Sequence, residues 1–372
     1  MNKLNIGDNI IRLRHKKQIT QEQLSDFIGV TKASVSKWET GQSTPDIILL
    51  PRLATYFDIT VDELLGYEPQ LSKEQIEKIY RELAVDFAEN TFEDTMHKSR
   101  ELVKQYYSCY LFLFQIGVLW LNHVSLAKSK EKQTEIMKSI SDLCDHIISG
   151  SQDLGVCSNA VVLKSYVNLQ LGNVLDVIDD LEDTLNPEKL VNQSDGVLIQ
   201  AYVLAGDLQK AACFTQISMY SHLLSLIGSA RMRIAIHSDD PSMCEKTISR
   251  TEKIMEIFEI EMLQPNAASQ FHYQAALFYS AGGEKQKAVG QLKKCNLCLM
   301  NLLSQKEITF HGDDYFNLIE LWFKTSGLNI NAPRDRKLVV EDIKHLYDNP
   351  AFAMLEDEPD FQKLKKELMG VQ

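Results

Sequence analysis

The segment from Ile19 to Gly41, ITQEQLSDFIGVTKASVSKWETG, can fold in very few ways: it reads as two short helices joined by a tight turn. Thr20 is placed to cap the first helix through its hydroxyl, with Gln23 three residues on reaching back to the cap amide and Ile19 and Leu24 stapling the start. Leu24, Phe27 and Ile28 are expected to form one apolar face. Gly29 follows as the residue able to take a left-handed conformation, and Thr31 caps the second helix. On that second helix Val35 and Trp38 are three apart and point inward. Lys32, Ala33, Ser36 and Lys37 are left outside, and short or basic side chains of this kind let a helix enter a major groove and reach base edges.

The flanks continue the pattern. Ahead, GDNIIRLRHKKQ supplies a helix with Ile6, Ile10 and Leu13 on one face; behind, STPDIILLPRLATYFDITVDELLG supplies two more, with Leu50, Leu53, Ala54, Phe57, Leu64 and Leu65 as core candidates. Thr44-Pro45-Asp46 marks a helix start and Gly66 a stop. With these elements, residues 1–66 resemble the Cro/repressor-like, or Xre, family of small helical DNA-binding domains. The resemblance implies an all-α, five-helix DNA-binding domain. It assigns Gln21, Ser34 and Thr40 to the DNA backbone and Lys32, Ala33, Ser36 and Lys37 to bases, with Thr31 opening the reading helix. It also pairs Arg14 with Glu39 as a structural ion pair tying the first helix to the third. Lys32 and Lys37 have a bland alternative as ordinary solvated lysines, but their place around Trp38 inside the motif weighs toward DNA.

Charge is distributed to suit this reading. The chain is acidic, with a formal net charge of −12, yet residues 1–41 hold seven Lys/Arg against four acids. Residues 42–66 hold Arg52 against Asp46, Asp58, Asp62 and Glu63, so the first 66 residues are neutral and the rest carries the whole deficit. A head polarised in this way presents one positive face to phosphates while an acidic body stays away. One such small domain binds modestly and with strong salt dependence, so a dimer reading two half-sites of an inverted repeat is expected.

About 300 residues remain, too many for a DNA-binding head alone. No secretory signal precedes the first helix, which sets a cytoplasmic expectation. The most apolar stretch, YLFLFQIGVLWLNHVSLA from Tyr110, is interrupted by Gln115, Asn122 and His123 and is shorter than the ~20 residues a membrane span requires, so a buried core helix is expected. The seven cysteines sit singly in apolar helical contexts, as buried thiols of a reducing compartment do. Cys295 and Cys298 form a lone CxxC without further ligands. No metal or cofactor is expected. Nor is catalysis, because nucleophile elbow, phosphate loop, metalloprotease motif and ordered carboxylate pair are all missing from the sequence.

After a linker at 67–75 the chain reads as helix throughout, with Ser72 and Gln75 offering another capping box. We divide it into a helical connector, 76–157, as a possible dimerisation region, and a repeat domain with a C-terminal cap, 158–372. SYVNLQLGNVLDVIDDLEDTL, AYVLAGDLQKAACFTQISMYSHLL and LFYSAGGEKQKAVGQLKKCNLCLMNLL share an aromatic-rich helix, a turn glycine and a second amphipathic helix. Gly172 and Gly206 are 34 apart; Ala211 and Ala288 each fall five residues after a turn glycine. This resembles a degenerate tetratricopeptide array of about four to six helix pairs. The step from Gly206 to Gly283 is 77, so an irregular unit containing IGSARMRIAIHSDDPSMCEKTISRTEKIMEIF must intervene, and Val177 replaces the small residue in the first unit.

A helical array behind a DNA-reading head is the layout of peptide-sensing regulators, including the pheromone-responsive regulators of Gram-positive bacteria. Two function classes follow. One is a dimeric, DNA-binding transcription regulator whose body dimerises and senses a peptide, small-molecule or protein effector. The other is a helical-repeat adaptor whose main activity is holding a protein partner. Among body amides, Asn159, Asn168 and Asn192 are those an extended peptide could use, although helix-end or surface roles account for such residues more simply.

Overall fold

A computed structural model describes residues 6–67, 70–181, 194–304, 308, 311–321 and 333–371, and the described residues are all-α. Five helices make the head: α1 (Ile6–Lys16), α2 (Gln21–Ile28), α3 (Lys32–Glu39), α4 (Leu50–Phe57) and α5 (Val61–Leu65). Their inward faces close one core of Ile6, Ile10, Leu13, Leu24, Ile28, Val35, Trp38, Leu53, Ala54, Phe57 and Leu64. Burying each large apolar side chain stabilises by roughly 1.5–3 kcal/mol.

Local signals act as the sequence suggests. The Thr20/Gln23 and Ser72/Gln75 capping boxes form, and Gly29 and Gly66 end their helices in the left-handed conformation. Three expectations need correction. Phe27 lies 61% exposed, outside the apolar face, because its ring packs tilted against Tyr56 at 4.3 Å instead of entering a core that Leu24 and Ile28 already fill. Asp46 caps a 3-10 turn, Ile47–Leu49, before α4 begins at Leu50. Leu50 and Leu65 flank the core only partly buried.

The next helices are α6 (Lys73–Glu89), α7 (Phe92–Gln105), α8 (Tyr110–His123), α9 (Lys130–Gly150) and α10 (Leu154–Leu171). They surround a second core centred on α8, where Phe112, Leu113, Ile116, Leu119 and Trp120 are buried. The apolar stretch from Tyr110 is thus a core helix, and among the described residues no helix is long and apolar enough to cross a membrane. Two of its polar groups find partners inside. Trp120 Nε1 donates to Ser99 Oγ at 2.9 Å, and His123, fully buried, stacks on Phe87 with Nδ1 2.8 Å from the Leu119 carbonyl. Burial lowers the His123 imidazole to about 4, so it is held neutral. Because α10 belongs to this core through Val156, Ala160, Leu163 and Val167, the boundary expected between residues 157 and 158 falls inside a helix.

Then come α11 (Val174–Leu181), α12 (Ser194–Leu204), α13 (Leu208–Ile236), α14 (Pro241–Ile257), α15 (Ile260–Leu263), α16 (Pro265–Ala281), α17 (Lys285–Ser304), α18 (Arg336–Lys344) and α19 (Pro359–Met369). The three expected units are the pairs α10–α11, α12–α13 and α16–α17. Each turns at a glycine with positive φ, 84° at Gly172 and 78° at both Gly206 and Gly283, which a residue with a Cβ rarely adopts. Ala211 and Ala288 are buried as expected, and Val177 is buried in their place in the first unit. The intervening unit is the end of α13 with α14.

A third core runs from α13 to α19, with Phe271, Phe316, Tyr347, Phe352 and Phe361 fully or almost fully buried. Within it His272, 0% exposed, joins four helices: Nδ1 is 2.8 Å from Gln291 Oε1, Nε2 is 3.2 Å from Glu261 Oε1, and Gln291 donates on to Glu252 at 2.9 Å. The segments around the second and third cores are tied by Tyr80, which donates to the Pro333 carbonyl, and by Lys337–Glu89 at 2.8 Å. Cys295 and Cys298 are buried on α17, and burial pushes both thiols up to about 12, so neither is a ready nucleophile. Among the described residues no cluster of metal-ligating side chains occurs.

Candidate nucleic-acid interface

The reading helix α3 owes its position to a close approach and an ion pair. Gly7, in the first turn of α1, lies so near the end of α3 that a Cβ there would meet the Trp38 carbonyl oxygen at 2.5 Å. Only glycine lets α1 lie against α3 in this way. On the same side Arg14 grips Glu39 with both ends of its fork, Nε to Oε1 at 2.7 Å and Nη2 to Oε2 at 3.1 Å, while Nη1 donates to the Ile19 carbonyl at 2.9 Å. Gln21 Nε2 completes the cluster, donating to Glu39 Oε2 at 2.7 Å. The cluster therefore joins the end of α1, the start of α2 and the end of α3.

Burial alone would raise the Glu39 carboxyl, but the hydrogen bonds from Arg14 and Gln21, helped by the Arg14 charge, outweigh it and hold the group below its ordinary value. Arg14 is held above its own ordinary value by the Glu39 hydrogen bond, even against burial. The structural ion pair that the resemblance implied is thus present and bidentate, the strong geometry for Arg and carboxylate.

With α3 held there, its outer face is open. Thr31 caps it by accepting from Ser34 N, and the two hydroxyls lie 2.9 Å apart. Val35 and Trp38 are buried, whereas Lys32, Ala33, Lys37 and Thr40 are exposed and Ser36 partly so. Ala33, Ser36, Lys37 and Thr40 follow the spacing that puts side chains on one helical face. Lys32 lies 3.6 Å from Glu22, a solvated pair of little energetic weight that leaves the ammonium mobile.

Two assigned residues are less free than the rest. Gln21 has one amide donor on Glu39, so a phosphate would meet its second N–H or the unpaired main-chain N–H groups of the α2 N-terminus. Thr40 donates its hydroxyl to the Ser36 carbonyl at 2.9 Å and must turn from it to reach DNA. Sequence reasoning passed over Gly7, and it left Lys17, within the basic run from Arg12, as either a solvated helix end or part of a phosphate-facing strip. The signal for Gly7 was a glycine at a helix start opposite a large aromatic. Lys17 lies 4.8 Å from the Tyr56 ring centre and donates to the Tyr56 carbonyl, which pins the C-terminal end of α1 to α4.

Residues 10–64 match the family described as Helix-turn-helix. The HTH-type transcriptional activator BcrR of Enterococcus faecalis is 31% identical over 83 residues, 21% of this chain and 41% of that protein. The HTH-type transcriptional regulator AnsR of Bacillus subtilis is 38% identical over 63 residues, 17% of this chain and 54% of that one. The chain spans about half the length of these relatives, and each match covers about a fifth of this chain. Two solved structures align over most of the chain. The apo form of the competence regulator ComR from Streptococcus vestibularis covers 87% of this chain and 98% of its own, at 14% identity and a TM-score of 0.26. Bacillus thuringiensis PlcR, in complex with the peptide PapR7 and DNA, covers 99% and 100%, at 13% identity and a TM-score of 0.19. Superpositions this loose carry no weight for how the helices are arranged. The capped α2–α3 pair, the Arg14–Glu39 tie and the sequence match agree on the head: it is a helix-turn-helix domain of the Cro/repressor-like, Xre type.

Proposed function

We propose that the chain is a sequence-specific DNA-binding transcription regulator that acts as a dimer and whose helical body senses an effector. The observation that carries this reading is the outer face of α3, where Ala33, Ser36 and Lys37 stand clear of the head's core while Gly7 and the Arg14–Glu39–Gln21 cluster fix the helix from behind. Lys32 and Lys37 supply charge and donors, Ala33 and Ser36 leave room for base edges, and Gln21, Ser34 and Thr40 lie toward the flanking phosphates.

The body offers a place for an effector. A cavity of about 390 Å³ opens between α13, α16, α17 and α18, within the size range of ligand sites. Its floor includes Leu299 and Leu302; its walls carry Asn266, Gln270 and Gln274, four residues apart along one face of α16, together with Arg231. An apolar floor with a row of amides and two guanidiniums, of which Arg334 is paired with Asp342 and Arg231 is left to face a ligand, suits a short peptide with a carboxylate. Of the amides considered from sequence, Asn159 is exposed on α10, Asn168 is buried beside the Gly172 turn and faces Asn173, and Asn192 lies outside the described residues.

Selection of duplexes from a random pool by the full-length protein, with Lys32→Ala/Lys37→Ala beside it at several salt concentrations, tests the reading. Enrichment of an inverted repeat that the double variant loses is the expected result. No enrichment at low salt by folded protein, with and without candidate peptides, would leave the adaptor reading in its place.

A further inference from the structure

Among the described residues, the stacking of helix pairs breaks between α10–α11 and α12–α13. Consecutive helix pairs of a repeat array normally bury their apolar faces on one another. Here α10–α11 packs back on α8 and α9, and α12–α13 packs forward on α14 and α16. Among the described residues the two pairs do not pack extensively on each other. Neither large core includes α11 or α12.

Both pairs consequently show solvent a face that has the composition of an interior. On α10, Val162, Tyr166 and Leu169 form an exposed stripe at i, i+4 and i+7, on the side opposite the buried Ala160, Leu163 and Val167. Leu175 on α11 is 75% exposed. On α12 no described side chain is buried, although most are apolar, and Leu204 and Leu208 at its turn into α13 are 88% and 65% exposed. A helix apolar on most sides belongs inside a structure. The apolar surface left open here is on the order of 1,000 Å² per chain, comparable with the ~800 Å² that each partner of a standard stable interface buries.

We infer that the occupant is a second copy of this chain, bound reciprocally: α10–α11 of each copy stacks on α12–α13 of the other about a two-fold axis. The argument is one of complementarity. The two open faces are successive faces of one repeat array and both are apolar, so a two-fold exchange covers both at once in an isologous contact. A peptide or an unrelated protein seated on one face would leave the other exposed. This inference deepens the dimeric reading given above and rests on it for its consequence, the coupling of two heads. The interface itself does not depend on DNA being the target, and it lies outside the 76–157 connector except for the start of α10.

Sedimentation of the full-length protein from about 1 to about 100 µM tests it. The variants are Tyr166→Glu/Leu169→Glu on one face and Leu204→Lys/Leu208→Lys on the other, each checked for native circular dichroism and melting. All four sites are exposed in the single chain, so folding should survive. Each variant alone places a charge in both copies of the contact and should weaken dimerisation about 100-fold or more. Mixed together, the two variants leave one of the two contacts unaltered and set glutamate against lysine in the other, so a heterodimer should return. A wild-type chain that stays monomeric throughout, or variants that dimerise as well as wild type, would overturn the proposal. Monomeric variants that do not rescue one another when mixed would overturn the reciprocal arrangement. Binding of a single half-site duplex, read by anisotropy, should be unchanged in both variants. Loss of DNA reading with dimerisation intact would break the proposed function and leave this interface standing; the opposite pattern would do the reverse.

Discussion

The head and the middle of the body are both built from helices rich in apolar residues, yet one is closed and the other open. In the head Leu24, Val35, Leu53 and Leu64 are 0% exposed, and caps, a glycine approach and an ion-pair cluster all serve one arrangement of five helices. In α11 and α12 the apolar content is at least as high, but only Val177 is buried. Composition alone therefore does not make a core. What matters is whether every apolar face meets another within the same chain, and an open face is evidence about partners.

The largest effect that would sharpen this contrast comes from truncation on either side of it. Leu24→Ala should destabilise the head by about 2–5 kcal/mol, whereas Leu204→Ala should alter the stability of the single chain by less than about 0.5 kcal/mol. Chemical denaturation at low protein concentration reads both, and comparable losses would mean that α12 is covered in the monomer.

Gly7→Ala should also act on the head, because the added methyl must push the α3 end away from the Trp38 carbonyl contact. A loss of about 1–3 kcal/mol, with weaker DNA binding despite an untouched reading face, is expected. Unchanged melting would show that α1 and α3 need no such approach.

In the second core, the buried neutral His123 makes stability depend on pH. Its imidazole is lowered to about 4 in the folded state, so the unfolded chain takes up the proton first. Stability is then complete above the ordinary imidazole range and declines as pH falls from there toward 4, by up to about 3 kcal/mol. Melting of wild type and His123→Gln over this window should differ in slope; parallel curves would reject the assignment. Glu39 behaves analogously at lower pH. Its folded value is depressed, so its contribution is full above the ordinary carboxylate range and disappears as pH falls through that range to the folded value. Glu39→Gln should flatten that acidic limb.

The smallest structural effect belongs to Lys37→Ala, which should leave melting unchanged within about 0.5 kcal/mol while weakening operator binding about tenfold and reducing its salt dependence. Unchanged operator affinity would instead return Lys37 to the class of ordinary surface lysines.

Local chemistry was readable from the chain alone. Thr20, Gly29, Thr31, Ser72 and the turn glycines Gly172, Gly206 and Gly283 each do what their side chains and backbone freedom require, because caps and left-handed turns depend on neighbours a few residues away. Most of the inward face of the head helices followed from spacing in the same way, Phe27, Leu50 and Leu65 apart, as did the placing of Lys32, Ala33, Ser36 and Lys37 outside. Contacts between residues distant in sequence were decided by the tertiary structure. Phe27 has the composition of a core residue but found Tyr56 at the surface, Gln21 was claimed by Glu39, and Gly7 mattered only because Trp38 arrives beside it. The cavity under Asn266, Gln270 and Gln274 and the open faces of α10–α13 belong to the same class, since periodicity shows that a face is apolar and only packing shows what, if anything, covers it.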